Sequence, residues 1–162
     1  MVRTEGLGRV IDEHPFFQGI DGKLRAILAG CATNMRVEAG EYLFRQGGPA
    51  EQFYLLRRGR IAIEIHAPAR PPLIVETVAE DDVVGWSWLV PPYRWTFDAR
   101  ALELTRLIAL DAACLRRKME EDTELGFEVM RRFVPVIAHR LASTRLQVLD
   151  LYGPPPGAGV RA

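Results

Sequence analysis

The chain is poor in the residues that metal centres and nucleophilic sites are usually built from. Its three histidines, His14, His66 and His139, lie far apart and fall in no metal-ligand spacing. Its two cysteines, Cys31 and Cys114, form no CxxC pair and no dense disulfide pattern, so a reducing compartment, the cytoplasm, is the simpler home. No apolar run approaches the roughly 20 residues of a membrane span, and Met1 to Gly8 hold no apolar signal core. An excess of one charge is also missing: 21 basic residues balance 21 acidic ones, which removes any general attraction to nucleic acid or an anionic surface. Only Lys23 and Lys118 among the cations are lysine. GxSxG, GxGxxG and GxxxxGK motifs are absent, and catalysis is therefore not the expected role.

What the chain does have is the composition of a globular domain. Apolar residues make up 48% and charged residues 26% of 162, enough for a core without staples. Residues 1–12 read as a loose lead-in. Asp21 is placed to cap a short helix running to about Cys31, with Leu24, Ile27 and Leu28 as its buried stripe.

From Val37 onward the texture is that of strands. Glu41–Arg45, Phe53–Leu56, Ile61–Ile65, Leu73–Val78 and Leu102–Leu110 are short and apolar or alternating, with glycine and proline turns between them. This pattern predicts a small all-β barrel or sandwich. Asp111 and Asp122 then stand before helical sequence that continues to residue 151. Met130, Val134, Ile137, Leu141, Thr144, Val148 and Leu151 advance by four and three alternately, the spacing of a heptad seam. Pro135 inside that pattern predicts a kink or break near Arg131–Pro135. The Pro154-Pro155-Pro156-Gly157 run marks the end of the fold.

One segment concentrates unusual chemistry. Residues 85–97 contain all three tryptophans, Trp86, Trp88 and Trp95, together with Gly85, Ser87, Leu89, Arg94 and Thr96. If residues 86–89 form a helical turn, its free amides can bind an anion, and the Arg94 guanidinium matches two phosphate oxygens. Ser87 and Thr96 add hydroxyl donors. Each residue also has a plainer use. The tryptophans can be core or interface side chains, and Arg94 can pair with Asp98 or Glu76.

The run Val37-Glu38-Ala39-Gly40-Glu41-Tyr42-Leu43-Phe44-Arg45-Gln46-Gly47, followed by Phe53 to Ile61, resembles the opening of cyclic-nucleotide-binding domains. The resemblance extends over about residues 14–151. It implies a mainly β fold with flanking helices: a double-stranded, jelly-roll-like β-roll followed by a long C-terminal helix. The implied division is a roll with short helices at 14–122, a helical dimerisation segment at 123–151 and a flexible tail at 152–162.

In that family a Gly-led cassette ending in Arg holds the cyclic phosphate. By resemblance Gly85, the amides of Ser87, Trp88 and Leu89, and Arg94 would do so here, with Trp95 and Thr96 beside them. Two positions depart from the pattern. Trp86 replaces the Glu that accepts the ribose hydroxyl, and an indole is a donor only. Trp95 replaces a small or hydroxyl residue. Thr144 and Arg145 align with adenine-contacting positions on the C-terminal helix, although Arg145 can equally be a solvated charge.

These features imply a non-enzymatic, stand-alone regulatory sensor for cAMP, cGMP or a related phosphate ligand, with no separate cofactor or metal. Its expected partners are a second copy, through the C-terminal helix, and an unknown downstream protein. No basic recognition helix is present and the chain stops soon after the seam, so direct DNA binding is not expected. The alternative is a degenerate domain that kept the roll, lost the ligand and acts as an interaction module.

Overall fold

In the computed structural model, which describes residues 4–152, two four-stranded antiparallel sheets face each other and a 30-residue helix leaves the roll. The chain opens with α1 (Thr4–Glu13), a 3-10 turn (Pro15–Phe17) and α2 (Gly22–Ala29). The strands are β1 (Ala32–Val37), β2 (Tyr42–Phe44), β3 (Gln52–Arg58), β4 (Ile61–Ile65), β5 (Leu73–Val78), β6 (Val83–Val84), β7 (Asp98–Ala101) and β8 (Thr105–Asp111). A second 3-10 turn (Ser87–Leu89) lies between β6 and β7, and α3 (Ala112–Glu121) and α4 (Thr123–Tyr152) complete the chain. One sheet runs β1-β8-β3-β6 and the other β2-β7-β4-β5. This is the β-roll that the resemblance implied, and it agrees with the all-β reading of the strand pattern.

Local chemistry explains the element ends. The Asp21 carboxylate accepts from the Lys23 amide at 2.6 Å, and Asp111 accepts from the Cys114 amide at 2.6 Å. Asp122 Oδ1 accepts from the amides of Glu124 and Leu125 at 3.1 and 3.2 Å, which starts α4. Each cap satisfies donors that the first helical turn leaves without a partner.

Several expectations need correction. Residues 4–12 are not a loose lead-in but most of α1: Leu7 and Ile11, four apart, are buried on the core, a stripe that Gly6 and Gly8 obscure in the sequence. Pro135 does not break α4, which is helical from end to end. Both Pro135 and Arg131 are exposed, so the Arg131 carbonyl that loses its amide donor can be hydrated. The short strands β1, β6 and β7 went unrecognised because they lack a full alternating repeat. Apart from Tyr152, the expected tail lies outside the described residues, as does the side chain of Leu151.

The two cysteines also sit differently from the expectation of separate thiols. They are joined as a disulfide, with their Cα atoms 6.0 Å apart although they are 83 positions apart in sequence. Topology brings them together. β1 pairs with β8 in the register Ala32↔Leu110, and the Asp111 amide donates to the Cys31 carbonyl at 2.9 Å. Cys114 follows in the first turn of α3.

An aromatic cluster fastens the helices to the roll. Phe53 of β3 stacks on Trp88 at 4.7 Å, and Phe133 of α4 meets both edge-on at 5.1 and 5.3 Å. Phe16 adds a further edge contact to Phe133 at 4.8 Å. Leu125 and Val129 complete the buried base of α4. Beyond Phe133 the helix is tied by polar contacts instead. Arg140 donates to the Val83 carbonyl and reaches Glu76 at 3.4 Å, while Gln147 Nε2 donates to the Val75 carbonyl at 2.5 Å.

Candidate ligand-binding site

A cavity of about 380 Å³ lies between the roll and the distal half of α4. β2 supplies Phe44, β4 supplies Ile63, and β5 supplies Val75 and Glu76. The cassette contributes Gly85, Trp86, Ser87, Trp95, Thr96 and Phe97. The helix contributes Ile137, Arg140, Leu141, Ser143, Thr144 and Gln147. The lining is predominantly apolar, and its volume falls within the roughly 300–1,000 Å³ common for small-molecule sites.

Six of the ten sequence-derived site residues therefore share this cavity: Gly85, Trp86, Ser87, Trp95, Thr96 and Thr144. Four do not line it. Trp88 points into the aromatic core and is fully buried there. The Leu89 amide, expected to face an anion, donates to the Trp86 carbonyl at 3.1 Å and so is used within its own turn. Arg145 is exposed on α4.

Arg94 departs furthest from the expectation. Its Nη1 donates to the Gly47 carbonyl at 3.0 Å, and its backbone forms an isolated bridge to Pro49. Arg94 pairs with neither suggested carboxylate. Asp98 is taken by Arg45 at 3.4 Å, by His66 at 2.5 Å and by the Gln46 amide at 2.6 Å. Glu76 faces Arg140. Asp98 is almost completely buried, which would raise its pKa. The Gln46 amide, Arg45 and His66 outweigh that cost and hold it below the ordinary carboxylate value.

The space beside Gly85 is taken by carbon. Gly85 has φ +91°, a left-handed conformation suited to glycine, and the Trp95 ring edge packs against it. The other side of that arrangement is a parallel stack of Trp95 on Phe44, with centroids 3.7 Å apart and planes 9° from parallel. Only 5% of Trp95 is exposed. The turn and the Arg94 fork thus do not converge on a common hollow: Gly85, Trp86 and Ser87 line the cavity, whereas Arg94 turns to the Gly47 carbonyl.

The sequence reading missed Phe44, Glu76, Arg140 and Gln147. A signal existed for the helical pair, because Arg140, Thr144 and Gln147 follow at four and three residues and share the seam's inner flank. Nothing local marks Phe44 or Glu76, whose places depend on how the sheets face each other.

A family model described as "Cyclic nucleotide-binding domain" matches residues 34–122, more than half of the chain. The chain belongs to the cyclic nucleotide-binding domain family. Among curated relatives it is 24% identical over 135 residues to the "CRP-like cAMP-activated global transcriptional regulator" of Mycobacterium tuberculosis. That alignment covers 83% of this chain and 58% of the regulator, so the chain spans a little over half of that relative's length. Two solved structures share the fold. A cyclic nucleotide-binding domain of Methylobacillus flagellatus superposes with a TM-score of 0.74 at 14% identity, covering 91% of this chain and 83% of that one. The regulatory subunit of a cAMP-independent protein kinase A of Trypanosoma brucei gives 0.65 at 21% identity, covering 81% and 47% respectively.

The family is a regulatory one. No helix among the described residues is long and apolar enough to cross a membrane, and none of their His, Cys, Asp and Glu side chains cluster as a metal site.

Proposed function

We propose that the chain is a regulatory sensor domain in which the cavity is the input and α4 the output. The observation that carries this reading is that one stretch of α4, Ile137 to Gln147, both walls the cavity and ties the helix to the roll. A ligand in the cavity touches the contacts that set the position of the helix. It shifts that position only to the extent that it binds two arrangements unequally.

The opposite flank of α4 supplies the receiving surface. Phe127, Met130, Val134, Val148 and Leu149 are exposed, and a second copy of this chain is the occupant that the heptad spacing of Met130, Val134 and Val148 favours. Homodimerisation through α4 is therefore part of the proposal.

A cyclic nucleotide, cAMP or cGMP, is the ligand suggested by the family, and the Mycobacterium relative is described as cAMP-activated. Three features weigh against carrying that ligand over. Trp95 fills the space beside Gly85, Arg94 is engaged elsewhere, and Trp86 cannot accept a ribose hydroxyl. Losing a charged hydrogen-bond partner costs roughly 1.5–3 kcal/mol, or about one to two decades of affinity for each partner lost. The kinase subunit described as cAMP-independent is consistent with a roll of this fold working without cAMP.

Calorimetry with cAMP and cGMP tests the ligand half of this reading, and no saturable heat is expected. Saturable binding that is lost in Arg94→Ala overturns it. The second reading, an interaction module without any ligand, is favoured by the burial of Trp88 and Trp95. It predicts that filling the cavity leaves α4 and its self-association unchanged.

A further inference from the structure

We propose that the cavity takes a neutral, largely apolar, ring-bearing small molecule. This names the ligand class of the sensor site and rests on the sensor reading above.

Charge is the first argument. The two charged side chains lining the cavity are Arg140 and Glu76, and they face each other at 3.4 Å. Arg140 also donates to the Val83 carbonyl, and only 14% of its side chain is exposed. An anionic ligand must draw this guanidinium from two existing partners and leave Glu76 uncompensated. A cationic ligand must take Glu76 and leave Arg140 so. Breaking a largely buried pair from one side is costlier than never approaching it. A neutral ligand leaves the pair intact, and with it the link from α4 to β5 and β6.

The walls give the second argument. Phe44, Trp86, Trp95 and Phe97 are four aromatic side chains in one lining, joined by Ile63 and Leu141. Aromatic rings favour offset or edge-on contact with another ring beyond simple area burial. Such a lining favours a flat carbon framework over a sugar and phosphate.

The third argument concerns the polar groups that remain. The hydroxyls of Ser87, Thr96 and Ser143 make no hydrogen bond among the described residues. Each offers one donor and acceptor lone pairs without bringing charge. They suit a ligand carrying one or two carbonyl, hydroxyl or amine groups on its ring framework.

The probe for the test is N-phenyl-1-naphthylamine, a neutral aromatic amine whose fluorescence rises in apolar surroundings. We expect saturable binding at one probe per chain, weakened roughly tenfold or more by Ser143→Phe, which fills the cavity from α4. Ile137→Trp is the second filling variant should Ser143→Phe not fold, as judged by circular dichroism. Leu104→Glu, exposed in the turn between β7 and β8, should leave probe binding unchanged. cAMP, cGMP and inorganic phosphate should fail to displace the probe. Insensitivity to both filling variants overturns the proposal, and so does displacement by a cyclic nucleotide.

Hydrogen exchange of the α4 amides separates this failure from that of the sensor reading. Probe binding with unchanged exchange along α4 refutes the sensor reading while the ligand class stands. Displacement by cAMP with altered exchange refutes the ligand class while the sensor reading stands.

Discussion

The ring edge of Trp95 lies against Gly85 so closely that a Cβ at residue 85 would stand 2.7 Å from Cη2 and 2.8 Å from Cζ3 of the indole. The missing side chain of one residue is thus the space that seats the other. The ring is pinned on its face by Phe44, so it has little freedom to yield.

Gly85→Ala should accordingly lose about 2–3 kcal/mol of stability, from overpacking added to the strain of a left-handed φ. Denaturant unfolding measures it. In a double-mutant cycle with Trp95→Ala, which by itself should cost about 3–5 kcal/mol, the pair should be non-additive by roughly 1 kcal/mol or more, because the clash vanishes with the ring.

Phe133→Ala should be similarly costly, about 3–5 kcal/mol. Its ring is fully buried among Phe16, Phe53 and Trp88, so removal both opens a cavity and frees the base of α4. Thermal unfolding followed by circular dichroism reads this loss, and hydrogen exchange should localise the loosening to α4.

Asp98 predicts a pH dependence with a definite sign. Its native pKa is held below the ordinary 3.8, so its contribution is fully present above that value and is lost as pH falls through the lowered native one. Asp98→Asn should be less stable than the wild type near neutrality by about 2 kcal/mol, with the gap closing in acid. Urea titrations at neutral and acidic pH test this. A gap that widens on acidification contradicts the assignment.

Val134→Asp should shift self-association toward monomer in sedimentation velocity. The side chain is 57% exposed, so the fold itself should change by no more than about 0.5 kcal/mol. A variant that remains dimeric places the interface elsewhere.

The strands and helices that were legible from the sequence carry strong local marks. β4 has an alternating isoleucine face, and Asp21, Asp111 and Asp122 each cap the helix they precede. The cassette was legible as a place, because three tryptophans within ten residues stand out against any background. Its geometry was not. Whether Trp95 or Arg94 faces inward depends on the backbone path between the 3-10 turn and β7, and that path is set by the bridge to Pro49 and by the loop that Asp98 holds. The Cys31–Cys114 pair was hidden for a related reason, since only the β1 to β8 register brings the two residues together.

The amino-acid order alone determined a small all-β domain with a long apolar-striped helix, because period-two and period-3.6 patterning act through neighbours along the chain. It also determined that residues 85–97 would be the distinctive segment. The tertiary structure decided how that segment is arranged: an indole packs against Gly85, the arginine turns to a loop carbonyl, and an ion pair neutralises the cavity wall. Those outcomes depend on contacts between residues about 40 to 65 positions apart, such as Arg94 with Gly47 and Arg140 with Glu76, which no local pattern encodes.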